Sequence, residues 1–312
     1  MTAEPTAVAL PATRPLVVLW RFSRPHTIVG TTLSIVCLWL LVAAELPAVA
    51  VGEGVGYLLA TVLAGACVNV FIVGLNQLED VEIDRINKPH LPIAAGDLSV
   101  PAARAIVAVA GVVPVALALT QGPAELIFVL IGLGVGVAYS SPPLRLKRWP
   151  LLAAISISGV RSVVVNVGVA LHFATSLGGE ETVVEPAWAL TLFVIPFSLA
   201  IALLKDVPDI EGDRRYAIAT FSVRLGPRRV LRLGLAALAV AYLGMAVLGP
   251  LLCQGASPVV LVVGHLVPLA LVLAWAARTD VADRAAFTRF YLRVWGLFFL
   301  EYLVAAAAWL TG

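Results

Sequence analysis

The chain has 312 residues, of which 61% are hydrophobic and only 13% are charged. A soluble domain carries about 25% charged residues, and one of this length could not bury so much apolar surface in a single core, so a soluble globular protein is excluded. The net charge of +2 gives no reason to expect a nucleic-acid partner.

Nine apolar segments follow one another along the chain. They cover residues 26–49, 54–75, 102–121, 124–139, 150–174, 187–204, 228–252, 258–277 and 288–310. Most reach the roughly 20 residues that a helix needs to cross about 30 Å of hydrocarbon, and the fourth is shorter and rich in glycine. These lengths predict an all-α integral membrane protein, a bundle of nine transmembrane helices with a central apolar chamber and cytoplasmic cap loops.

The basic residues lie on alternate loops. Of the 21 Lys and Arg residues, all but Arg161 precede the first span or follow an even-numbered span. The opposite loops have no basic residue and carry Glu45, Glu53, Glu125, Glu180, Glu181 and Glu185. The positive-inside rule therefore predicts a cytoplasmic N-terminus and an outer C-terminus. We expect a protein of the bacterial cytoplasmic membrane whose chemistry takes place on the cytoplasmic side.

Two parts are expected, a flexible cytoplasmic tail (1–20) and a membrane domain (21–312). Arg21 and Arg24 precede a long first span, which favours an anchor over a cleavable signal peptide. The three cysteines lie in or beside separate spans, a spacing that favours buried thiols over a disulfide framework or a zinc site: Cys37, Cys67 and Cys253.

Two acidic clusters follow spans two and six. In the first, Asn76, Asp80 and Asp84 are spaced i, i+4, i+8, and in the second the corresponding set is spaced i, i+3, i+7: Asp206, Asp209 and Asp213. On a helix each set would lie along one face. Pro208 lacks an N–H, so we expect the second helix to kink or restart there. The glutamates of both clusters fall off these faces and are expected in solvent: Glu79, Glu82 and Glu211.

Five aspartates beside membrane-buried helices require a chemical explanation, since burying unpaired carboxylates costs several kcal/mol each. Salt bridges and helix caps would account for one cluster. Two clusters on one membrane face point instead to Mg²⁺, which binds through one or two carboxylates together with substrate phosphates. Nearby cations could complete a diphosphate site, and the candidates are Arg85, Lys88, Lys147, Arg148, Lys205 and Arg224. The apolar bundle behind them would suit a long apolar tail.

At these residues the chain resembles the intramembrane aromatic prenyltransferases of the UbiA superfamily. That family has nine helices and two motifs, N-x-x-x-D-x-x-x-D and D-x-x-D-x-x-x-D, after helices two and six; both are complete here, and the resemblance spans about 20–310. It implies that the Mg²⁺–diphosphate ligands are Asn76, Asp80, Asp84, Asp206, Asp209 and Asp213. It also implies that Lys88, Arg145 and Lys147 hold the diphosphate and that Tyr139 lies near the reacting carbon, where its ring could stabilise an allylic cation.

A finer resemblance is to the homogentisate phytyl/prenyltransferase branch. The similar segments are 87–92 (NKPHLP), 139–145 (YSSPPLR), 161–166 with His172, and 205–213 (KDVPDIEGD). The R-T-x-x-R-P-L stretch typical of the branch that prenylates 4-hydroxybenzoate is missing.

Arg161 is the one basic residue deep inside a predicted span, and an intramembrane charge is a functional hypothesis by default. It could bind a carboxylate of the aromatic acceptor or pair with Glu301 in span nine. Asn166 lies on a compatible face and could add a hydrogen bond to the substrate, whereas His172 lies near the outer end and favours a packing role.

The predicted function is Mg²⁺-dependent transfer of a prenyl group from its diphosphate to an aromatic acceptor, homogentisate or a related phenol, within the lipid bilayer and without an obligate protein partner. The same motifs also fit a membrane terpene cyclase that needs no acceptor. A transporter should place its polar ligands at mid-membrane, and a CDP-alcohol phosphotransferase keeps its acids in one short stretch. The residues leave the prenyl length and the acceptor open.

Overall fold

The computed structural model describes residues 14–46, 51–179 and 181–312. Within these ranges the protein is entirely helical, and nine helices are long and apolar enough to cross a membrane. Many large apolar side chains on the outside of the bundle remain exposed, among them Val109, Leu119 and Leu251, as expected for a surface that faces lipid. The all-α integral membrane fold and its nine predicted spans are therefore confirmed.

The described part of the chain contains fifteen α-helices. They are α1 (Arg14–Phe22), α2 (Pro25–Glu45), α3 (Val51–Glu79), α4 (Val81–Asn87), α5 (Pro92–Ala95), α6 (Val100–Gln121), α7 (Pro123–Ser140), α8 (Pro150–Gly159), α9 (Gly168–Ser176), α10 (Glu185–Leu204), α11 (Ile210–Arg215), α12 (Phe221–Leu225), α13 (Pro227–Leu252), α14 (Pro258–Ala277) and α15 (Arg284–Leu310). A short 3₁₀ turn (Leu146–Arg148) precedes α8, and a π-helical segment (Val160–Val167) joins α8 to α9 into one span.

Several predicted limits differ from the observed ones. Helix α2 ends at Glu45, before the predicted 49, and α3 continues to Glu79, beyond the predicted 75. The apolar pattern stops where α3 leaves the hydrocarbon, but its backbone hydrogen bonds continue. Helix α1 contains residues 14–20 of the predicted tail, and the rest of that tail lies outside the described residues.

Proline accounts for many of the helix starts. Pro25, Pro123, Pro150, Pro227 and Pro258 each stand in the first turn, where the missing N–H has no intrahelical partner to lose. As a result each of these spans begins where its polar loop ends.

Helix α10 is the most buried of the nine spans in the described structure. Its Phe193 and Phe197 pack edge-on against Tyr242 of α13, at ring-centroid distances of 5.2 and 5.8 Å. This burial explains why α10 is apolar on every side. Because its neighbours fix it in place, the acidic turn that follows Leu204 has a rigid base.

Helices α3 and α7 pack closely and run in the same direction. Gly136 of α7 lies against Ile72, where an added Cβ would come within 2.7 Å of the Ile72 side chain, and Gly132 lies against Val68. Glycine is needed at position 136 for this approach. The two contacts fix the register between the helices, and both helices end beside the acidic clusters.

The cysteines are all free. Cys37 and Cys253 are buried as predicted, and Cys67 is half-buried. None of them lines the main cavity of the described structure.

Candidate active site

The first acidic cluster sits at a bend between α3 and α4. Asp80 belongs to neither helix, with φ −114° and ψ 19°. The helical hydrogen-bond pattern nevertheless continues, because the Asp80 amide donates to the Asn76 carbonyl (3.0 Å) and the Asp84 amide donates to the Asp80 carbonyl (2.7 Å). The side chains of Asn76, Asp80 and Asp84 all line one cavity, so the predicted common face is kept.

The second cluster spans a turn and the start of α11. The chain leaves the helix after Leu204 and re-enters it at Ile210, so the predicted restart beyond Pro208 is confirmed. The expectation of a single helical face is wrong for Asp206 and Asp209, which lie in the turn. Asp213 lies in α11, and all three aspartates are buried and line the same cavity as the first cluster.

Asp80 is held by three partners. Lys147 donates to its Oδ2 at 2.6 Å, Arg145 donates to its Oδ1 at 3.0 Å, and the Asn76 amide donates to Oδ2 at 3.0 Å. Lys147 is itself buried, and burial lowers its pKa despite the neighbouring Asp80.

Lys88 connects the two clusters. Its Nζ lies 2.5 Å from Asp209 Oδ2 and 3.9 Å from Asp84 Oδ1. Burial opposes the charge on Lys88, but the carboxylates of Asp209 and Asp84 outweigh it and raise the pKa of the lysine. Lys205 pairs in the same way with Asp206, at 2.6 Å.

The other candidate cations lie elsewhere. Arg85 pairs with exposed Glu82 at 2.6 Å, and Arg148 and Arg224 are exposed and do not line the cavity. Glu82 and Glu211 are exposed as predicted, whereas Glu79 is half-buried and accepts a hydrogen bond from Ser141.

Two of the buried carboxyl groups have raised pKa values. Burial, with help from Asp80 and Asp209, raises the pKa of Asp84 to about 6. Burial and the nearby Asp206 and Asp209 raise the pKa of Asp213 to about 7. Both carboxylates would therefore be stabilised by an additional cation.

Asn87 ties the two clusters together, and the sequence interpretation did not assign it a role. Its Nδ2 donates to Asp213 Oδ1 at 3.2 Å, and its Oδ1 accepts from the Gly212 amide at 2.9 Å. A Cβ at position 212 would overlap this amide group, so only glycine allows the contact. The Asn87 carbonyl in turn accepts from the Arg284 guanidinium. The link joins α4, α11 and α15.

Behind the clusters lies a cavity of about 860 Å³. Tyr139, Ile72 and Val135 belong to its wall. Along α3 it is lined from Asn76 to Thr61, which corresponds to about 22 Å of helix. This cavity is the predicted central chamber, and its volume lies within the range of small-molecule sites.

Arg161 lies in the wall of this cavity, on the π-helical segment. Its guanidinium stacks on the rings of Trp295 (4.5 Å) and Phe298 (5.3 Å), and its Nη1 has no hydrogen-bond partner in the described structure. The alternative pairing with Glu301 is wrong, because Glu301 contacts His265 at 3.2 Å. One nitrogen of Arg161 is thus a buried donor that no residue of the described structure satisfies.

Two other predicted residues stand apart from the cavity. Asn166 is fully buried and accepts a hydrogen bond from the Tyr302 hydroxyl at 3.2 Å; it does not line the cavity. His172 packs against Tyr57 and Ser176, also away from the cavity, in agreement with a packing role.

Polar residues of α2 and α3 complete the wall of the cavity. They were not predicted from the sequence. His26 meets the Trp295 ring edge-on at 4.9 Å, and the Asn69 amide donates to Thr27 Oγ1 at 3.0 Å. Asn69 could have been found, since it stands seven residues before Asn76 and therefore on the same helix face.

The donor set fits Mg²⁺. Within the described ranges no three His, Cys, Asp or Glu side chains converge as a ready-made metal centre, because lysines stand between the carboxylates. A complete set of protein ligands is not required, since Mg²⁺ takes most of its ligands from water and phosphate. All the candidate ligands offer oxygen, and the raised pKa values of Asp84 and Asp213 indicate that an added cation would stabilise their charged forms.

Comparisons with known proteins agree with this geometry. The UbiA prenyltransferase family matches residues 33–301. The homogentisate phytyltransferase of Synechocystis sp. is 46% identical over 93% of this chain and 95% of its own length. The chloroplastic homogentisate solanesyltransferase of Arabidopsis thaliana is 38% identical over 91% of this chain and 75% of its own length.

The fold is also that of solved members. A UbiA homologue from Archaeoglobus fulgidus, solved bound to GPP and Mg²⁺, superposes with a TM-score of 0.58 at 17% identity, over 93% of this chain and all of the homologue. The family match, the identity to the curated relatives and the nine-helix fold lead to one conclusion. The chain belongs to the UbiA prenyltransferase family, in its homogentisate prenyltransferase branch, and is therefore a prenyltransferase.

Proposed function

We propose that the enzyme transfers a prenyl group from a Mg²⁺-bound prenyl diphosphate to a phenol that carries a carboxylate, such as homogentisate. The observation that carries this proposal is Arg161, a cation in the cavity wall with a buried donor nitrogen that no described residue satisfies. A carboxylate is the ligand that best matches a guanidinium in such surroundings. The names of the relatives support the same acceptor and the same kind of donor.

The donor half of the site would be built from both clusters. Asn76, Asp80, Asp84, Asp206, Asp209 and Asp213 would hold Mg²⁺, as the resemblance implies. When bound, Mg²⁺ supplies neutralisation of the charge on the leaving diphosphate. Lys88, Arg145, Lys147 and Lys205, which now neutralise aspartates, would exchange these partners for diphosphate oxygens.

The acceptor half would lie deeper in the chamber. Arg161 stands eleven residues into its span, about 16 Å along the helix from Pro150. Trp295, on which Arg161 stacks, also lines the cavity and could contact the acceptor ring. Bound there by its carboxylate, the acceptor would direct its ring toward Tyr139 and the reacting carbon.

In the transfer, the donor C1–O bond breaks with its electron pair going to the diphosphate, and an aromatic carbon forms the new bond to C1. The ring carbon that has been attacked then loses its proton, which restores the aromatic ring. Where CO₂ is also lost from homogentisate, it leaves from the CH₂–carboxylate side chain, and a proton takes its place. The π face of Tyr139 would stabilise positive charge at C1, and the apolar wall would keep water away from it. The distribution of basic residues supports an active site on the cytoplasmic side of a bacterial membrane.

A paired-acceptor assay with Arg161→Gln tests this assignment. A charged hydrogen bond contributes about 1.5–3 kcal/mol, so kcat/KM for homogentisate should fall about 10- to 150-fold. With methylhydroquinone, a phenol that lacks the carboxylate, the same variant should stay within about threefold of the wild type. The wild-type enzyme itself should prefer homogentisate.

Equal losses with both acceptors would contradict a carboxylate contact and would make Arg161 a packing residue. Arg161→Lys serves as a matched control that keeps the charge. It should recover part of the homogentisate activity without changing the methylhydroquinone activity, since Lys offers a point charge in place of a planar pair of donors.

A further inference from the structure

The end of the chamber that lies farthest from the aspartates is polar. Thr61 of α3 and Glu125 of α7 both line it and are 1% and 5% exposed. The Thr61 hydroxyl has no hydrogen-bond partner, and Glu125 makes neither a hydrogen bond nor an ion pair with the residues that the structure describes. Glu125 is favoured electrostatically in the first turn of α7, but that does not explain why it is buried against the cavity.

The two side chains lie at the same depth. The contacts of Gly132 with Val68 and of Gly136 with Ile72 set a constant register between the parallel helices α3 and α7. Continued by two turns toward the start of both helices, this register brings Glu125 level with Thr61. Together they form the floor of the chamber.

The face that α7 contributes between the reaction end and this floor is apolar. From Tyr139 to Glu125 the lining of α7 consists of Gly136, Val135, Gly132, Val129 and Phe128. The two ends are fourteen residues apart, about 21 Å along the helix. A lipid acyl chain spans half of the ~30 Å hydrocarbon core. A prenyl chain of four isoprene units has about as many backbone carbons as that acyl chain, so its length is about 15–20 Å.

We infer that the prenyl chain of the donor lies along α3 and α7 with its tail at Thr61 and Glu125, and that this polar floor limits the donor to about four isoprene units. A longer apolar chain would have to lie against a buried carboxyl and a buried hydroxyl and would leave both without any polar partner. The enzyme therefore uses geranylgeranyl- or phytyl-sized donors and rejects solanesyl-sized ones. The inference rests on the proposed function, because it assigns the chamber to a prenyl diphosphate.

Donor-length profiles test the inference in two directions. Val129→Phe fills the chamber one turn above Glu125, and kcat/KM for geranylgeranyl diphosphate should fall at least tenfold while that for geranyl diphosphate stays within threefold. Glu125→Ala lengthens the apolar path, and the ratio of geranylfarnesyl to geranylgeranyl use should rise at least fivefold. Ile127→Phe adds the same ring on the lipid-facing side of α7, where Ile127 is 53% exposed, and should leave the profile unchanged.

A binding measurement separates this inference from the proposed function. Unreactive thiolodiphosphate analogues with two, four and nine isoprene units are added with Mg²⁺, without any acceptor, and the shift in thermal unfolding is recorded. We expect the four-unit analogue to stabilise the wild-type enzyme most. The nine-unit analogue should bind at least tenfold less tightly. The preference should hold even if transfer to the phenol fails, which would refute only the proposed function.

The inference would be overturned if the wild-type enzyme bound the nine-unit analogue as tightly as the four-unit one. It would also be overturned if Val129→Phe, folded and bound by the two-unit analogue, kept the wild-type preference for length. In either case the tail leaves the chamber before it reaches Thr61 and Glu125.

Discussion

At the scale of single residues, the site has two kinds of carboxylate. Asp80 and Asp209 are held close to lysines, whereas Asp84 and Asp213 keep raised pKa values of about 6 and about 7. Asp84 and Asp213 must lose their protons before they can bind a metal ion. Metal binding should therefore depend on pH within the physiological range.

The apparent affinity for Mg²⁺ should rise as the pH increases. At pH 6 protons compete with Mg²⁺ strongly at Asp213 and weakly at Asp84, and at pH 8 they compete at neither residue. The apparent affinity for Mg²⁺ should therefore change about 20-fold between these pH values. Mg²⁺ titrations followed by thermal unfolding would measure it. In Asp213→Asn the change should shrink to about twofold, and an equal affinity at pH 6 and pH 8 would contradict the prediction.

Without Mg²⁺ the same pKa shifts act on stability. Both folded-state pKa values lie above the ordinary value for Asp, so the folded protein binds these protons more tightly than the unfolded chain. The free energy of unfolding should therefore decrease as the pH rises from about 4 to about 7. Added Mg²⁺ should reverse this loss.

Some single residues could be predicted from the sequence and others could not. The six motif residues, Tyr139 and Arg161 all line the cavity. Helix spacing accounts for the first cluster, whereas Asp206 and Asp209 reach the cavity from a turn, and Tyr139 was expected there from the family resemblance. Of the two roles left open for Arg161, the pair with Glu301 is wrong, since helix packing brings Glu301 to His265. Asn87 had no recognisable signal, because its contacts lie more than 120 residues away.

At the scale of elements, the two short helices α4 and α11 bring the clusters together. They follow different spans, α3 and α10, and the described structure links them through Asn87 and Lys88. Asp209 caps α11, and Asp80 stands at the start of α4. Loss of this connection should separate the metal ligands without unfolding the bundle.

Removing the Asn87 side chain tests this coupling. Asn87→Ala loses two hydrogen bonds, each contributing about 0.5–1.5 kcal/mol, so the apparent Mg²⁺ affinity should fall about tenfold. The unfolding temperature in the absence of Mg²⁺ should change little, because the nine spans carry most of the packing. The control Glu82→Ala on the exposed side of α4 should bind Mg²⁺ as the wild type does; a similar loss in both variants would mean that Asn87 has no special role.

The elements also show where sequence reasoning stops. The spans were found because about 20 apolar residues leave no alternative to a membrane helix. The π-helical segment at Val160–Val167 and the turn that carries Asp206 were not predicted, since both depend on how neighbouring helices pack. π-helical turns occur often at functional sites, and this one carries Arg161.

At the scale of the whole molecule, polarity changes along the chamber in a way that fits the proposed reaction. Carboxylates and cations stand at one end, Arg161 stands about three turns further in, and an apolar face of α7 leads to Thr61 and Glu125. A diphosphate, a phenol carboxylate and a prenyl chain each match one of these zones. A terpene cyclase would need the first and the last zone but not Arg161.

The most direct test of this account is a product assay with the purified enzyme in detergent. Mg²⁺ and geranylgeranyl diphosphate are supplied with and without homogentisate, and diphosphate release and organic products are measured by mass spectrometry, with Asp80→Asn as the matched control. The account predicts a prenylated phenol that requires both Mg²⁺ and homogentisate and is lost in Asp80→Asn. Cyclic hydrocarbon or alcohol formed by the wild type without an acceptor would contradict it.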